Sequence, residues 1–182
     1  MKNLTFFPFL LVSLMFVLGS CSKDDGPSPG KEESTFDVVF SGINVTANYQ
    51  NVTPPNQTKT LEAVLSSANK DKARYVNKAE VQYNGSYIGI QGLKAGESLS
   101  RVTINLLDGQ SAVATCNLGR VDANADGSSV EDSSNNCMAF LNTVTTNLAS
   151  KKNITLQVIL NGGDKDVTNL TITLHTRATF SW

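Results

Sequence analysis

The chain has 182 residues, 40% hydrophobic and 17% charged, a length that suits one folded domain. Its 15 basic and 16 acidic side chains leave a net charge of -1, and Lys151–Lys152 is the only adjacent basic pair. That excludes a nucleic-acid partner, because a phosphate binder needs a basic patch to release counterions.

The first element is an apolar run, Phe6 to Leu18, preceded by Lys2. It is too short to span a bilayer, which takes roughly 17–25 residues, and has the proportions of a signal-peptide core. The run ends in Leu18-Gly19-Ser20-Cys21. Small residues directly before a cysteine, with an aliphatic residue three back, resemble a bacterial lipobox. That resemblance implies a signal peptide over 1–20, a diacylglycerol on the Cys21 sulfur, cleavage before Cys21, and acylation of the new amine, the fatty-acyl chains being ones such as palmitate. Ser22-Lys23-Asp24-Asp25 resembles the short acidic export signal of Bacteroidota surface lipoproteins. The implied location is the outer membrane, lipid-anchored and facing the cell exterior, or the periplasm if the acidic signal does not act. Each buried methylene contributes about 0.8 kcal/mol, so several acyl chains hold a soluble domain on a bilayer without a transmembrane helix.

Gly26 to Ser34 is rich in Pro, Gly and Ser and reads as a tether. The expected organisation is therefore signal 1–20, lipidated cysteine and tether 21–35, and one β-rich domain over 36–182. Phe36 to Tyr49 reads as an opening strand, or as two with a kink at Gly42, and Thr53–Asn56 as a loop. In Leu61 to Ala68, Leu61, Val64, Leu65 and Ala68 fall at helical spacing while Leu61, Ala63 and Leu65 also alternate, and the preferred reading is a short helix.

Lys78 to Ile90 reads as a hairpin across Asn84-Gly85, a dipeptide suited to a type I′ turn. Tyr83 then pairs with Ser86 and Gln82 with Tyr87. Val81, Tyr83, Ile88 and Ile90 share the core face, and Tyr87 faces out. Exposed Tyr87 is the best candidate for an aromatic ligand platform, with Tyr49 and Tyr75 of unknown facing. Leu99–Leu107 and Ser111–Leu118 make a second hairpin across Asp108-Gly109, with Val102, Ile104 and Leu106 alternating.

Asp122-Ala-Asn124-Ala-Asp126-Gly127 matches the opening of a calcium loop, where oxygen ligands at alternate positions converge on a hard cation. It resembles the first half of an EF-hand or dockerin-type loop. The resemblance implies Asp122, Asn124 and Asp126 as side-chain ligands and Ser128 as a backbone ligand of a structural calcium. The twelfth position is Ser133 instead of a bidentate Glu, so Glu131 or Asp132 would have to substitute. No helix is expected on the N-terminal side, and Asp, Asn, Gly and Ser are also ordinary turn residues.

With Cys21 acylated, Cys116 and Cys137 remain. In an oxidising compartment a disulfide between them is the default, with buried free thiols the alternative. A zinc site lacks ligands, since His175 is the single histidine.

From Asn136 to Lys151 the period changes. Met138, Leu141, Val144, Thr145 and Leu148 lie three or four apart and predict a helix, with Ser134 or Asn135 as cap and Lys151–Lys152 at its negative end. Two strands follow, Asn153–Leu160 and Asn169–Trp182, around a polar turn. In the last strand Leu170, Ile172, Leu174, Ala178, Phe180 and Trp182 alternate with Thr171, Thr173, His175, Arg177 and Thr179. Its aromatic end looks like the C-terminal signal of outer-membrane β-barrels, against which stand the lipobox and the helix. The fold class expected is mostly β, an antiparallel β-sandwich-like domain with one or two accessory helices.

The chain has no G-x-S-x-G, no H-E-x-x-H and no phosphate-cradling glycine loop. His175 reads as an exposed strand residue, and sequons such as Asn44-Val-Thr46 as products of high Asn and Thr content. The functional expectation is a non-enzymatic binding or interaction module, accessory to nutrient uptake or adhesion, with outer-membrane proteins or glycans as partners. Recognition would use a sheet face or the end loops, the 119–135 loop first. Two alternatives stand beside it: a structural envelope component, and a glycan hydrolase with a non-obvious carboxylate pair.

Overall fold

A computed structural model describes residues 28–47 and 50–182. The lipobox with Cys21, the signal segment, most of the tether and Tyr49 lie outside the described residues.

The domain is an antiparallel β-sandwich with accessory helices. In the first sheet, β1 (Lys31–Val45) pairs with β10 (Val167–Ser181), which pairs with β4 (Lys78–Val81) and β5 (Tyr87–Gln91). β8 (Val130–Asp132) lies on the far side of β5. In the second sheet, β9 (Asn153–Gly162) pairs with β2 (Asn51–Val52) and β3 (Gln57–Thr60) on one side. On its other side it pairs with β6 (Ser98–Asp108), which forms a hairpin with β7 (Ser111–Asp122). Both sheets end in edge strands, so they do not close into a barrel.

Alternation determines which faces meet. Phe36, Val38 and Phe40 of β1 and Leu170, Ile172, Leu174, Ala178 and Phe180 of β10 are buried. So are Ile104 and Leu106 of β6 and Leu156, Val158 and Leu160 of β9 on the facing sheet. Each such Val, Leu, Ile or Phe side chain contributes about 1.5–3 kcal/mol. The helix α2 (Asn135–Lys151) buries Met138, Leu141, Val144, Thr145 and Leu148 and packs against β4, β7 and β9. Leu141 is fully buried, so Leu141→Ala should cost about 2–5 kcal/mol. Its first turn starts after Ser134, which makes no side-chain cap; Asp132 Oδ1 accepts the Ser134 N–H at 2.7 Å instead. At the far end Lys151 Nζ meets Asp108 Oδ2 at 2.7 Å, and Lys152 Nζ donates to Ala149 O at 2.6 Å and to Val76 O. Of these contacts, the one from Lys152 to Ala149 O covers a carbonyl that the helix end leaves without a partner, and both cations sit at the negative end of the helix. The short helix α1 (Leu61–Val64) is capped by Thr60, whose hydroxyl accepts the Ala63 N–H. A 3₁₀ turn spans Lys70–Tyr75.

Several expectations need correction. The strand pairing starts at Lys31, inside the stretch read as tether, because Lys31–Thr35 run in register with Ser181–Arg177. The two final strands lie in different sheets, so the polar turn between them is a crossover. The hairpin over Lys78–Ile90 does not form. β4 and β5 lie end to end along β10, with Val81 opposite Ala178 and Tyr87 opposite His175. A turn is present, since Ser86 N bonds Tyr83 O at 3.4 Å and Gly85 has φ +88, but Asn84 is not left-handed. A type I′ turn needs positive φ at both central residues, and without it the strands are not reversed. The Ser86 hydroxyl completes the detour, donating to Gln82 O at 2.7 Å and accepting Arg177 N–H at 3.0 Å. Val81, Ile88 and Ile90 are core residues as expected, whereas Tyr83 is 62% exposed.

Candidate functional site

The antiparallel register places Gly30 and Trp182 at one end of the sandwich and Val45 and Val167 at the other. At the Val45 end lie Thr46–Ala47 and the loops 92–97, 123–129 and 163–166. They are tied together by Asp166 Oδ1 on the Ala47 N–H at 2.6 Å, Asn44 Oδ1 on the Asn169 N–H at 3.0 Å, and Ala123 N on Glu97 O at 3.0 Å. An open cavity of about 600 Å³ lies between them, lined by Gly92, Lys94, Ala125, Asp126, Thr168 and Asn169 among others. Gly92 has φ +97, and a Cβ there would lie 2.8 Å from Asn169 O, so the loop closes only with glycine. Lys94 and Asp126 put one charge of each sign on its lining.

The residues read as a calcium loop border this end without converging. Asp122 Oδ1 accepts from Arg120 Nε at 2.9 Å and Nη2 at 2.8 Å. Asn124 turns its nitrogen inward, donating to Ser128 Oγ at 3.0 Å and Ser129 O at 2.9 Å. Asp126 Oδ1 accepts the Ser128 N–H at 2.9 Å, and hydrogen bonds from Ser128 hold its carboxyl below the usual range. Glu131 and Asp132 belong to β8, opposite Gly89 and Ile88. Burial works to raise the Asp132 carboxyl, but hydrogen bonds from Ser134 and Cys137 outweigh it and the net shift is downward. Among the described residues, no group of three or more His, Cys, Asp or Glu is gathered closely enough to hold a metal ion.

Cys116 on β7 and Cys137 in the first turn of α2 are both buried, with Sγ atoms 2.9 Å apart and no disulfide between them. The contact favours one thiolate over the other: Cys116 is shifted down and Cys137 up. The 117–136 segment between them carries both Asp126 and the strand β8.

On the outer face of the first sheet, three adjacent strands bring Asp37, His175 and Tyr87 into one row. His175 Nδ1 and Asp37 Oδ1 are 2.6 Å apart, and the Tyr87 ring stacks on the imidazole with centroids 4.8 Å apart and planes at 24°. Tyr87 leans over Gly89, where a Cβ would meet its Cε2 at 3.2 Å. Beyond it lies a groove of about 360 Å³, lined by Tyr83, Asn84, Gly85, Ser86, Tyr87, Glu131 and Ser133. Of these residues Tyr87 is legible in the sequence as an outward aromatic, whereas His175 reads there only as an exposed strand residue and Tyr83 as a core residue. Asp37 and Tyr83 were missed as neighbours because strand order is not encoded in alternation.

No protein-family model matches the chain, and no curated protein matches it. Among solved structures, it is similar to a chain in the structure of infectious bursal disease virus Gt strain. That likeness has 10% identity, covers 85% of this chain and 32% of the viral one, and has a TM-score of 0.35. The Gx strain structure gives 13% identity, 86% and 36% coverage, and a TM-score of 0.31. The chain thus spans about a third of these two viral chains. A virus-like particle of the giant freshwater prawn Macrobrachium rosenbergii nodavirus gives 9% identity, 100% and 93% coverage, and a TM-score of 0.31.

Proposed function

We propose that this protein is an outer-membrane lipoprotein, held by acylated Cys21 and facing the cell exterior. Its sandwich acts as a non-enzymatic binding module, accessory to nutrient uptake or adhesion. The observation that carries this reading is polarity along the sandwich. The chain enters the domain at Gly30, whose backbone pairs with Trp182 at 2.9 and 3.0 Å, while the 600 Å³ cavity opens at the opposite end. An anchor upstream of Gly30 would therefore present the cavity away from the membrane. The location also supports a Cys116–Cys137 disulfide, because the two sulfurs already touch and the compartment is oxidising. Such a bond would hold the 117–136 segment, which lines the cavity through Asp126.

The test is a photo-cross-linking residue placed at Asp126 in living cells, with a second at Lys78 near the Gly30 end. Capture of an outer-membrane transporter or a glycan-binding lipoprotein from Asp126, and not from Lys78, is the expected result. Capture of general envelope proteins only, from both positions alike, would favour a structural envelope role instead. Replacing Cys21 with alanine should move the protein out of the membrane fraction; a Cys21→Ala protein that stays membrane-bound would remove the anchoring mechanism.

A further inference from the structure

We propose that the groove between Tyr83 and Tyr87 is a binding site for a neutral pyranose saccharide. This deepens the binding-module reading, but it does not depend on how the chain is anchored. Three features carry it. The first is a preorganised aromatic surface. Tyr87 is half-buried, stacked at 4.8 Å on His175, which Asp37 holds at 2.6 Å, so its ring is fixed before any ligand arrives. The face not taken by His175 is the one a sugar would use, since the C–H face of a pyranose is apolar and packs on an aromatic plane.

The second feature is Tyr83. It is among the few large hydrophobic side chains that are exposed, at 62%, and it stands on the 82–86 detour instead of in a strand. A flat sheet would have turned it into or along the sheet; the detour holds it beside the groove that Tyr87 also lines. Two aromatic rings flanking one groove bind a ring-shaped ligand with little loss of side-chain entropy, because tyrosine has only two rotatable side-chain bonds.

The third is the polar lining. The side chains of Asn84, Glu131 and Ser133 take no hydrogen-bond partner among the described residues, whereas the Ser86 hydroxyl is committed to Gln82 and Arg177. An amide, a carboxylate and a hydroxyl in a 360 Å³ groove match the alternating donors and acceptors of sugar hydroxyls, and the volume falls within the range of small-ligand sites. Glu131 is the only ionisable acid or base on the lining besides the tyrosines, so a uronic acid or sialic acid would meet like charge.

The experiment is saturation-transfer NMR on the full-length lipoprotein in detergent micelles. The probes are cellohexaose, maltohexaose, mannohexaose and chitohexaose, with oligogalacturonate as the acidic counterpart. Expected is transfer to the ring C–H protons of at least one neutral probe, none to oligogalacturonate, and affinity about tenfold weaker in Tyr83→Ala. Tyr83→Phe, which keeps the ring, should bind within about twofold of the parent, and Glu131→Gln should bind more weakly than the parent. Tyr83 is exposed, so its replacement leaves the core intact. No transfer to any neutral probe would overturn the proposal, as would a Tyr83→Ala protein that binds like the parent, or preference for oligogalacturonate. Sugar binding in micelles without partner capture on cells would sink the uptake-partner reading alone; capture from Asp126 without sugar binding would sink this site alone.

Discussion

Cys116 Sγ and Cys137 Sγ touch at 2.9 Å in the core, joining the edge strand β7 to the first turn of α2. If the proposed location is right, protein purified from cells without reductant should resist alkylation at both sites until reduced, and a single cross-linked peptide pair should appear by mass mapping. The bond would close a loop of about 20 residues and contribute about 3 kcal/mol on the chain-entropy account. Reduction should then lower the melting temperature by roughly 6–12 °C. Two thiols that alkylate freely in unfolded, unreduced protein would remove the disulfide.

Ser86 holds the detour between β4 and β5 through its hydroxyl, which satisfies Gln82 O and the Arg177 N–H at once. Ser86→Ala leaves both backbone groups short of a partner in a buried place, and should cost about 1–3 kcal/mol in chemical denaturation. Amide exchange at Arg177 should rise with it. An unchanged exchange rate at Arg177 would mean that water or the backbone replaces the hydroxyl without loss.

Glu32 ties the start of β1 to the segment after α1. Its carboxylate accepts from Ser66 N at 2.7 Å, Asn69 Nδ2 at 2.8 Å and Ser34 Oγ at 3.0 Å. Partial burial pushes the carboxyl up, but these hydrogen bonds outweigh it and the net shift is downward. A carboxylate with a lowered folded pKa stabilises fully above its unfolded value, near pH 4.3, and loses that contribution as pH falls through the folded value. Glu32→Gln should therefore be less stable than the parent at pH 7, with the gap narrowing as pH drops below about 4. A gap that stays constant down to pH 2 would assign the effect to packing.

The Asp122–Asp132 stretch yields a fourth prediction. Calcium there would require Asp122 to leave Arg120 and the Asn124 amide to flip, which would turn its oxygen toward Ser128 and Ser129 oxygens. Melting curves in about 10 mM calcium and in chelator should coincide, since that concentration exceeds the weak range of extracellular calcium modules. A higher melting temperature with calcium that disappears in Asp126→Asn would restore the ion.

How much was readable from residues alone differs by element. The β6–β7 hairpin across Asp108-Gly109 and the helix carrying Met138, Leu141 and Leu148 followed directly from period, because a local repeat decides which face is apolar. The inward and outward sets of β10 were readable for the same reason; Thr176, assigned to neither, is a buried hydroxyl without a partner among the described residues, on an otherwise apolar row. Asn84-Gly85 was the instructive failure. The dipeptide makes a turn, but with Asn84 outside the left-handed region it does not reverse the chain, and both flanking strands pair with β10 instead of with each other.

The candidate sites belong to the second kind of information. Tyr87, His175 and Asp37 are separated by tens of residues and meet only because β5, β10 and β1 are neighbours in that order. Cys116 and Cys137 could be paired by elimination, since the sequence holds few cysteines, but their burial between β7 and α2 came from packing. Local periodicity, turn chemistry and cysteine count are properties of short windows, so residues alone determine them. Strand order, the direction of the Tyr83 side chain and the separation of the Gly30 end from the cavity end depend on which distant surfaces bury each other. That choice is made by the whole core at once and is visible only in the folded chain.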